Sequence, residues 1–318
     1  MHPAIRCSVL TLLVGAGPVH ASCSTGTCAL NSHWQTQDVV GQSGQRLDLR
    51  YEYIRQDQPR AGHEKADIGA LRRHHDEVET LNHNLMLRYD YNAGSGWGAS
   101  VQVPVVNRDH YHIHNHRGAK IDERWAFTHL GDVRLIARYS PTFASQASTD
   151  FGLLAGVKLP TGRTDVSNSE GDAAERTLQP GSGTTDAILG FYVSRPTSLW
   201  NRSARVFAQT QTQLPANTHK EFRPGNQYTL DVGIAYPQIG DFSGLLQINT
   251  IIKDHDHGQE AEVADSGGAS VWLSPGASYA VTRAARLYGF VQLPLYQRVR
   301  GIQITANWAV TMGASVGF

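Results

Sequence analysis

The segment IQITANWAVTMGASVGF at 302–318 alternates apolar and polar residues along its whole length. In an extended chain successive side chains point to opposite faces. Ile302, Ile304, Ala306, Trp308, Val310, Met312, Ala314, Val316 and Phe318 therefore share one face. Gln303, Thr305, Asn307, Thr311, Ser315 and two glycines share the other. Strands of soluble domains usually run about 5–6 residues, and they seldom line an entire inner side with small polar groups. A strand with lipid on one side and a wet interior on the other has this pattern. The chain ends on the aromatic Phe318, as bacterial outer-membrane proteins do.

The same alternation recurs upstream. Leu47, Leu49, Tyr51 and Tyr53 alternate with Arg46, Asp48, Arg50 and Glu52, and Leu85, Leu87, Tyr89 and Tyr91 with Asn84, Met86, Arg88 and Asp90. Further strands are expected at 97–106, 131–139, 151–159, 185–193, 202–214, 228–236, 242–253, 269–281 and 286–299. Together they predict an all-β fold: a transmembrane antiparallel up-and-down barrel of about twelve strands, an even number as such barrels require. The connections support the count. Those expected on the periplasmic side are short (92–96, 237–241, 282–285), and those expected outside are long (56–76, 107–123, 161–183, 215–225, 254–268). Tyr89, Tyr91, Trp97, Tyr139, Phe151, Phe191, Tyr236, Phe242, Tyr279 and Phe318 all fall at predicted periplasmic strand ends, as an interfacial girdle would.

Ahead of the barrel, Arg6, the apolar run at 9–17 and Val19-His20-Ala21 read as a secretory signal peptide over 1–21. A periplasmic segment at 22–43 would come next, then the barrel at 44–318, in the outer membrane. Cleavage would remove Cys7 and leave Cys23 and Cys28 in CSTGTC. An oxidising envelope favours a small disulfide loop there, and a thiolate metal or redox site is the alternative. With 28 Lys+Arg against 28 Asp+Glu, no basic surplus exists to attract nucleic acid. The expected partners are outer-membrane lipid and a small-molecule solute.

Charged residues on the inner face are expected to line the lumen: Arg46, Asp48, Arg50, Glu52, Arg88, Asp90, Asp132, Arg134, Arg138, Lys158, Asp186 and Asp231. They would form either a stiffening set of salt bridges or a solute path with paired charges. HYHIHNH at 110–116 places His110, His112, His114 and His116 at every second position. In an extended loop they would share a face able to hold Zn²⁺, Cu²⁺ or Ni²⁺. His74 and His75 in RRHHDE, and His255 and His257 in HDH, extend the candidate set. All are expected in outer loops, where a hydrated or pH-responsive loop is the plainer alternative. No cofactor is required by this reading.

Four segments resemble one family: GVKLPTGR at 156–163, LQPGSGTTDAILG at 178–190, LSPGASYAVT at 273–282 and VQLPLYQRVRG at 291–301, with Gly131-Asp132 ahead of them. It is the outer-membrane β-barrel family of the MetA-pathway of phenol degradation, whose members are described as transporters. The resemblance covers roughly 131–318 and implies a barrel that passes small, aromatic solutes. The functions expected are therefore a channel for a small solute with metal-binding outer loops or, alternatively, a metal-handling protein anchored by a closed barrel. A surface hydrolase is the least favoured, since no GxSxG nucleophile motif is present. The chain is not expected to be an enzyme.

Overall fold

The structure, a computed structural model, describes residues 44–69, 75–116, 119–141 and 149–318. The expected signal peptide and the Cys23/Cys28 segment lie outside these residues. The described chain forms a closed antiparallel barrel of 12 strands. In order they are β1 (Gly44–Ala61), β2 (His75–Asn92), β3 (Trp97–His116), β4 in two segments (Ala119–Leu130 and Arg134–Tyr139), β5 (Asp150–Lys158) and β6 (Asp186–Leu199). The second half is β7 (Arg202–Pro215), β8 (Gln227–Ile239), β9 (Phe242–Lys253), β10 (Gly268–Ala280), β11 (Ala285–Val299) and β12 (Ile302–Gly317). Each strand pairs with its sequence neighbour, and β12 closes the barrel on β1 from Arg46↔Gly317 to Ala61↔Ile302.

Closure sorts the alternating residues as periodicity predicts. Leu47, Leu49, Leu85, Leu87, Val101, Leu135, Leu153, Leu189, Leu246 and Ile248 are exposed on the outer wall, while Asp48, Arg50, Glu52, Arg88 and Asp90 are buried within. A closed barrel leaves no backbone edge unpaired and presents an apolar band to lipid. The protein is thus a β-barrel of the bacterial outer membrane. At the end bearing Gly44 and Phe318, exposed aromatics meet across strands, with Trp97–Tyr139 ring centroids 4.6 Å apart and Phe242–Tyr279 4.8 Å apart.

Two expectations are corrected. First, the stretches 56–76 and 107–123 are not simply loops. β1 continues to Ala61, β3 to His116, and β4 begins at Ala119. Outward residues turn polar after Val105, where Tyr111 bonds Asp122 at 2.9 Å, so these strands continue beyond the bilayer. Second, β12 does not hold one phase. Register shifts opposite Ile54, Gln56 and Gln58 leave Trp308, Met312 and Val316 outside but bury Ile304, Ala306 and Ala309. Ile304 packs with Trp125 and Leu178, and the two alanines pack with Ile54. A bulge adds a residue to one strand and re-aims the side chains beyond it. The long outer connection expected at 161–183 is present, and over 159–185 it folds into a lobe. It carries Val166, Ala174 and Leu178, which bury against Trp125, Phe127 and Ile304 because apolar side chains at the mouth gain by leaving water.

The lobe has a narrow neck. Asp132, in the break between the two β4 segments, accepts hydrogen bonds from Gly162 N (3.0 Å), Ser182 N (3.0 Å) and Ser182 Oγ (2.9 Å). Gly162 and Gly181 touch backbone to backbone, and a Cβ on Gly162 would lie 2.6 Å from the Gly181 Cα. Gly162 of GVKLPTGR and Gly181 of LQPGSGTTDAILG are therefore required by the close approach of two chain segments.

Candidate functional site

The interior is polar and paired. Arg50 and Glu52 lie 2.8 Å apart, Arg88 and Asp90 2.7 Å apart. Lys158 sits between Asp132 (3.0 Å) and Asp186 (2.9 Å), and Asp186 also accepts from Thr184 and Gln213, each at 2.6 Å. Asp48 accepts from Tyr288 at 2.8 Å, Asp231 from Asn249 at 2.7 Å, and Arg46 donates to Ser315 at 3.3 Å. Arg138 is buried and Arg134 half-buried. Burying a charge is tolerable only with such partners. Asp132 and Lys158 serve the neck of the lobe.

Charge is unevenly distributed. β1, β2, β4, β5 and β6 carry the pairs. β9–β12 bury Gln247, Asn249, Ser274, Ser278, Gln292, Thr311 and Ser315; the charged exceptions are Arg286 near the terminal rim and, at the outer end, Lys253, which pairs with Asp256 at 2.8 Å. Four inward rings, Tyr192, Phe207, Tyr288 and Phe290, lie over Gly152, Gly233, Gly313 and Gly276 of neighbouring strands. A Cβ on any of those glycines would come within 3.0 Å of the ring. The rings can therefore lie flat along the wall.

Above the bilayer, the histidine run is strand. His110 and His112 are buried, at 0% and 4% exposure, and both stack near Trp125, with centroids 5.9 and 4.8 Å away. His110 Nε2 lies 3.4 Å from His112 Nδ1 and 3.4 Å from Glu77 Oε2. His110 Nδ1 meets Thr80 Oγ1 at 2.8 Å, and His112 Nε2 meets Glu123 Oε2 at 2.7 Å. His114 turns to the other Glu123 oxygen at 3.3 Å. One donor atom from each of Glu77, His110 and His112 lies within 4.8 Å of the others.

His75 pairs by backbone with His114, and His116 with Ala119, while His74 lies outside the described residues. His255 and His257 stack at 4.5 Å, and His255 Nδ1 is taken by Arg300 at 2.8 Å. Four residues that matter escaped periodicity: Glu77, Thr80, Glu123 and Arg108. The first two reach the site because β2 bulges between Glu77 and Glu79, which places Glu77 opposite His112 and Thr80 opposite His110. A bulge has no sequence period.

Beside this cluster the outer connections interlock. Arg223 and His257 exchange backbone hydrogen bonds of 2.9 and 2.8 Å, and Gly225 N donates to Asp256 at 2.8 Å. Between them and the lobe is a cavity of about 1060 Å³ whose wall includes Asp165, Glu175, Glu221, Glu260, Glu262 and Asp265, against the bases Arg176 and Lys220. Burial, with the nearby charges of Glu175 and Glu77, pushes the Glu262 carboxyl well above the usual range.

No family model and no curated protein matches the chain. Among solved structures it is similar to an outer-membrane channel from Pseudomonas putida F1, at 12% identity over 87% of this chain and 96% of that one, with a TM-score of 0.60. The NanC porin aligns at 13% identity over 85% of this chain and 98% of its own, with a TM-score of 0.48. At this identity the first likeness concerns the fold alone.

Proposed function

We propose that the chain is a narrow outer-membrane channel for a small solute, with the 159–185 lobe controlling its outer mouth. One observation carries this reading: the interior divides into a charge-paired half and a half of uncharged amides and hydroxyls. Neutral donors and acceptors can exchange water for a passing solute, whereas an inert anchor gains nothing from them. The Pseudomonas putida F1 structure of similar fold is described as a channel, which supports the same direction. The resemblance to the phenol-degradation family supports a small aromatic solute. Single-channel conductance of the refolded full chain in a planar bilayer tests the reading. Steady conductance is expected, rising when 164–180 is replaced by a short Gly-Ser linker. No conductance from either protein would refute it.

A second reading, favoured by the cluster at the mouth, is that the protein binds a transition metal through the β3 histidines. It is compatible with the first, and equilibrium Zn²⁺ binding to the EDTA-stripped full chain tests it.

A further inference from the structure

We infer that Glu77, His110 and His112 form a three-donor site for one divalent transition-metal ion of the Zn²⁺ class, inside the barrel wall above the bilayer. The inference rests on the metal-binding reading and deepens it, by naming the ligands and the donor atoms.

Hydrogen bonding orients the two rings. Glu123 is an acceptor when ionised, so His112 donates Nε2–H to it and presents the Nδ1 lone pair. Thr80 Oγ1 holds His110 Nδ1, which leaves Nε2 to face the same point. A second partner that fixes the far nitrogen of each ring is the usual support for metal-ligating histidine. Glu123 and Thr80 occupy that place here.

Separation decides what fits between them. The two facing nitrogens are 3.4 Å apart, and Glu77 Oε2 is 3.4 Å from His110 Nε2. That is longer than the ~2.7–3.2 Å of an ordinary N–H hydrogen bond. Tetrahedral Zn²⁺ with bonds of ~2.0–2.1 Å needs donors about 3.3–3.4 Å apart. The two edges that meet at His110 Nε2 match this spacing, and all three donor atoms lie within 4.8 Å of one another.

Glu77 on β2 and the two histidines on β3 are buried, with the Trp125 indole against both rings. Glu262 lies on the cavity wall and close enough to Glu77 for their charges to repel. The acidic wall of the cavity that includes Glu262 concentrates cations at the mouth. Three protein donors leave the fourth position of a tetrahedral ion to water or a solute. His114, His116, His255 and His257 are not ligands in this assignment.

The test is isothermal titration of the EDTA-stripped, detergent-folded full chain with Zn²⁺, with Co²⁺ absorption to report coordination. One saturable site is expected, with a tetrahedral Co²⁺ spectrum. His110→Ala, His112→Ala and Glu77→Gln should each weaken it at least tenfold. Thr80→Val and Glu123→Gln should weaken it less, and His255→Ala with His257→Ala should leave it unchanged. Heat-modifiable gel mobility identifies variants that have folded, and the two histidine variants serve if Glu77→Gln does not fold. Saturable binding that survives both His110→Ala and His112→Ala overturns this ligand set while leaving the metal-binding reading in place. No saturable binding overturns both, and neither outcome bears on conductance.

Discussion

Arg108 donates a 2.7 Å hydrogen bond to the carbonyl oxygen of Leu178, which joins β3 to the lobe that fills the mouth. The same guanidinium donates to Asn82 Oδ1 at 2.8 Å, so its orientation is set by β2. The lobe is therefore held by its neck at Asp132 and by this bond near its buried apolar end.

Replacing Arg108 with Ala leaves the buried Leu178 carbonyl without this donor. Undocking of the lobe is expected to become easier by about 1–3 kcal/mol. Protease cleavage within 159–185 of the protein in liposomes should accelerate at least tenfold, and the open fraction in single-channel traces should increase. Unchanged cleavage would show that the apolar cluster alone holds the lobe.

Lys158→Met places the buried carboxylates of Asp132 and Asp186 together without their cation. Unpairing a buried charge costs about 3–5 kcal/mol. The urea midpoint for unfolding from lipid vesicles should fall accordingly. Asp186→Asn in the Lys158→Met background should restore part of the loss, because one of the two repelling charges is then gone.

Gly313→Ala drives a Cβ into the Tyr288 ring and displaces its hydroxyl from Asp48. Overpacking of this kind costs about 1–3 kcal/mol, against about 1 kcal/mol for Tyr288→Phe, which removes the hydrogen bond but keeps the ring. The order of the two unfolding midpoints is the measurement. Equal midpoints would mean that the ring has room to move.

Glu262 gives the mouth a pH dependence of known sign. Its carboxyl is raised by burial first, then by Glu175 and Glu77, with a smaller contribution from Asp265. A raised carboxyl stabilises the folded mouth below the ordinary glutamate range, about pH 4.3. That contribution is lost as pH rises through the folded value. In EDTA, so that no cation offsets the charge, loop proteolysis should therefore speed up as pH rises from that range. Glu262→Gln should flatten the profile, and a profile that instead speeds up on acidification would contradict the assignment.

Strand number, the lipid-facing band and the buried charges of β1 and β2 are legible from period-two alternation, because a closed wall must keep that period wherever lipid touches it. The histidine alternation is legible as a shared face, and that face holds for His110 and His112. Its location is not legible in the same way. Polar side chains point outward over 107–116, which reads as a loop, yet outward polarity shows that the chain has left the bilayer without showing that the strand has ended.

Alternation along the chain assigns inner and outer positions wherever a strand keeps its phase, because that assignment needs only spacing. The tertiary structure decided which of them meet. Glu77 reaches His112 through a bulge in β2, Ile304 reaches Leu178 through a register shift in β12, and Arg108 reaches Leu178 because the 159–185 connection folds inward onto Trp125 and Phe127. Each depends on a break in period or on contact between segments remote in sequence, and alternation along one strand cannot encode either.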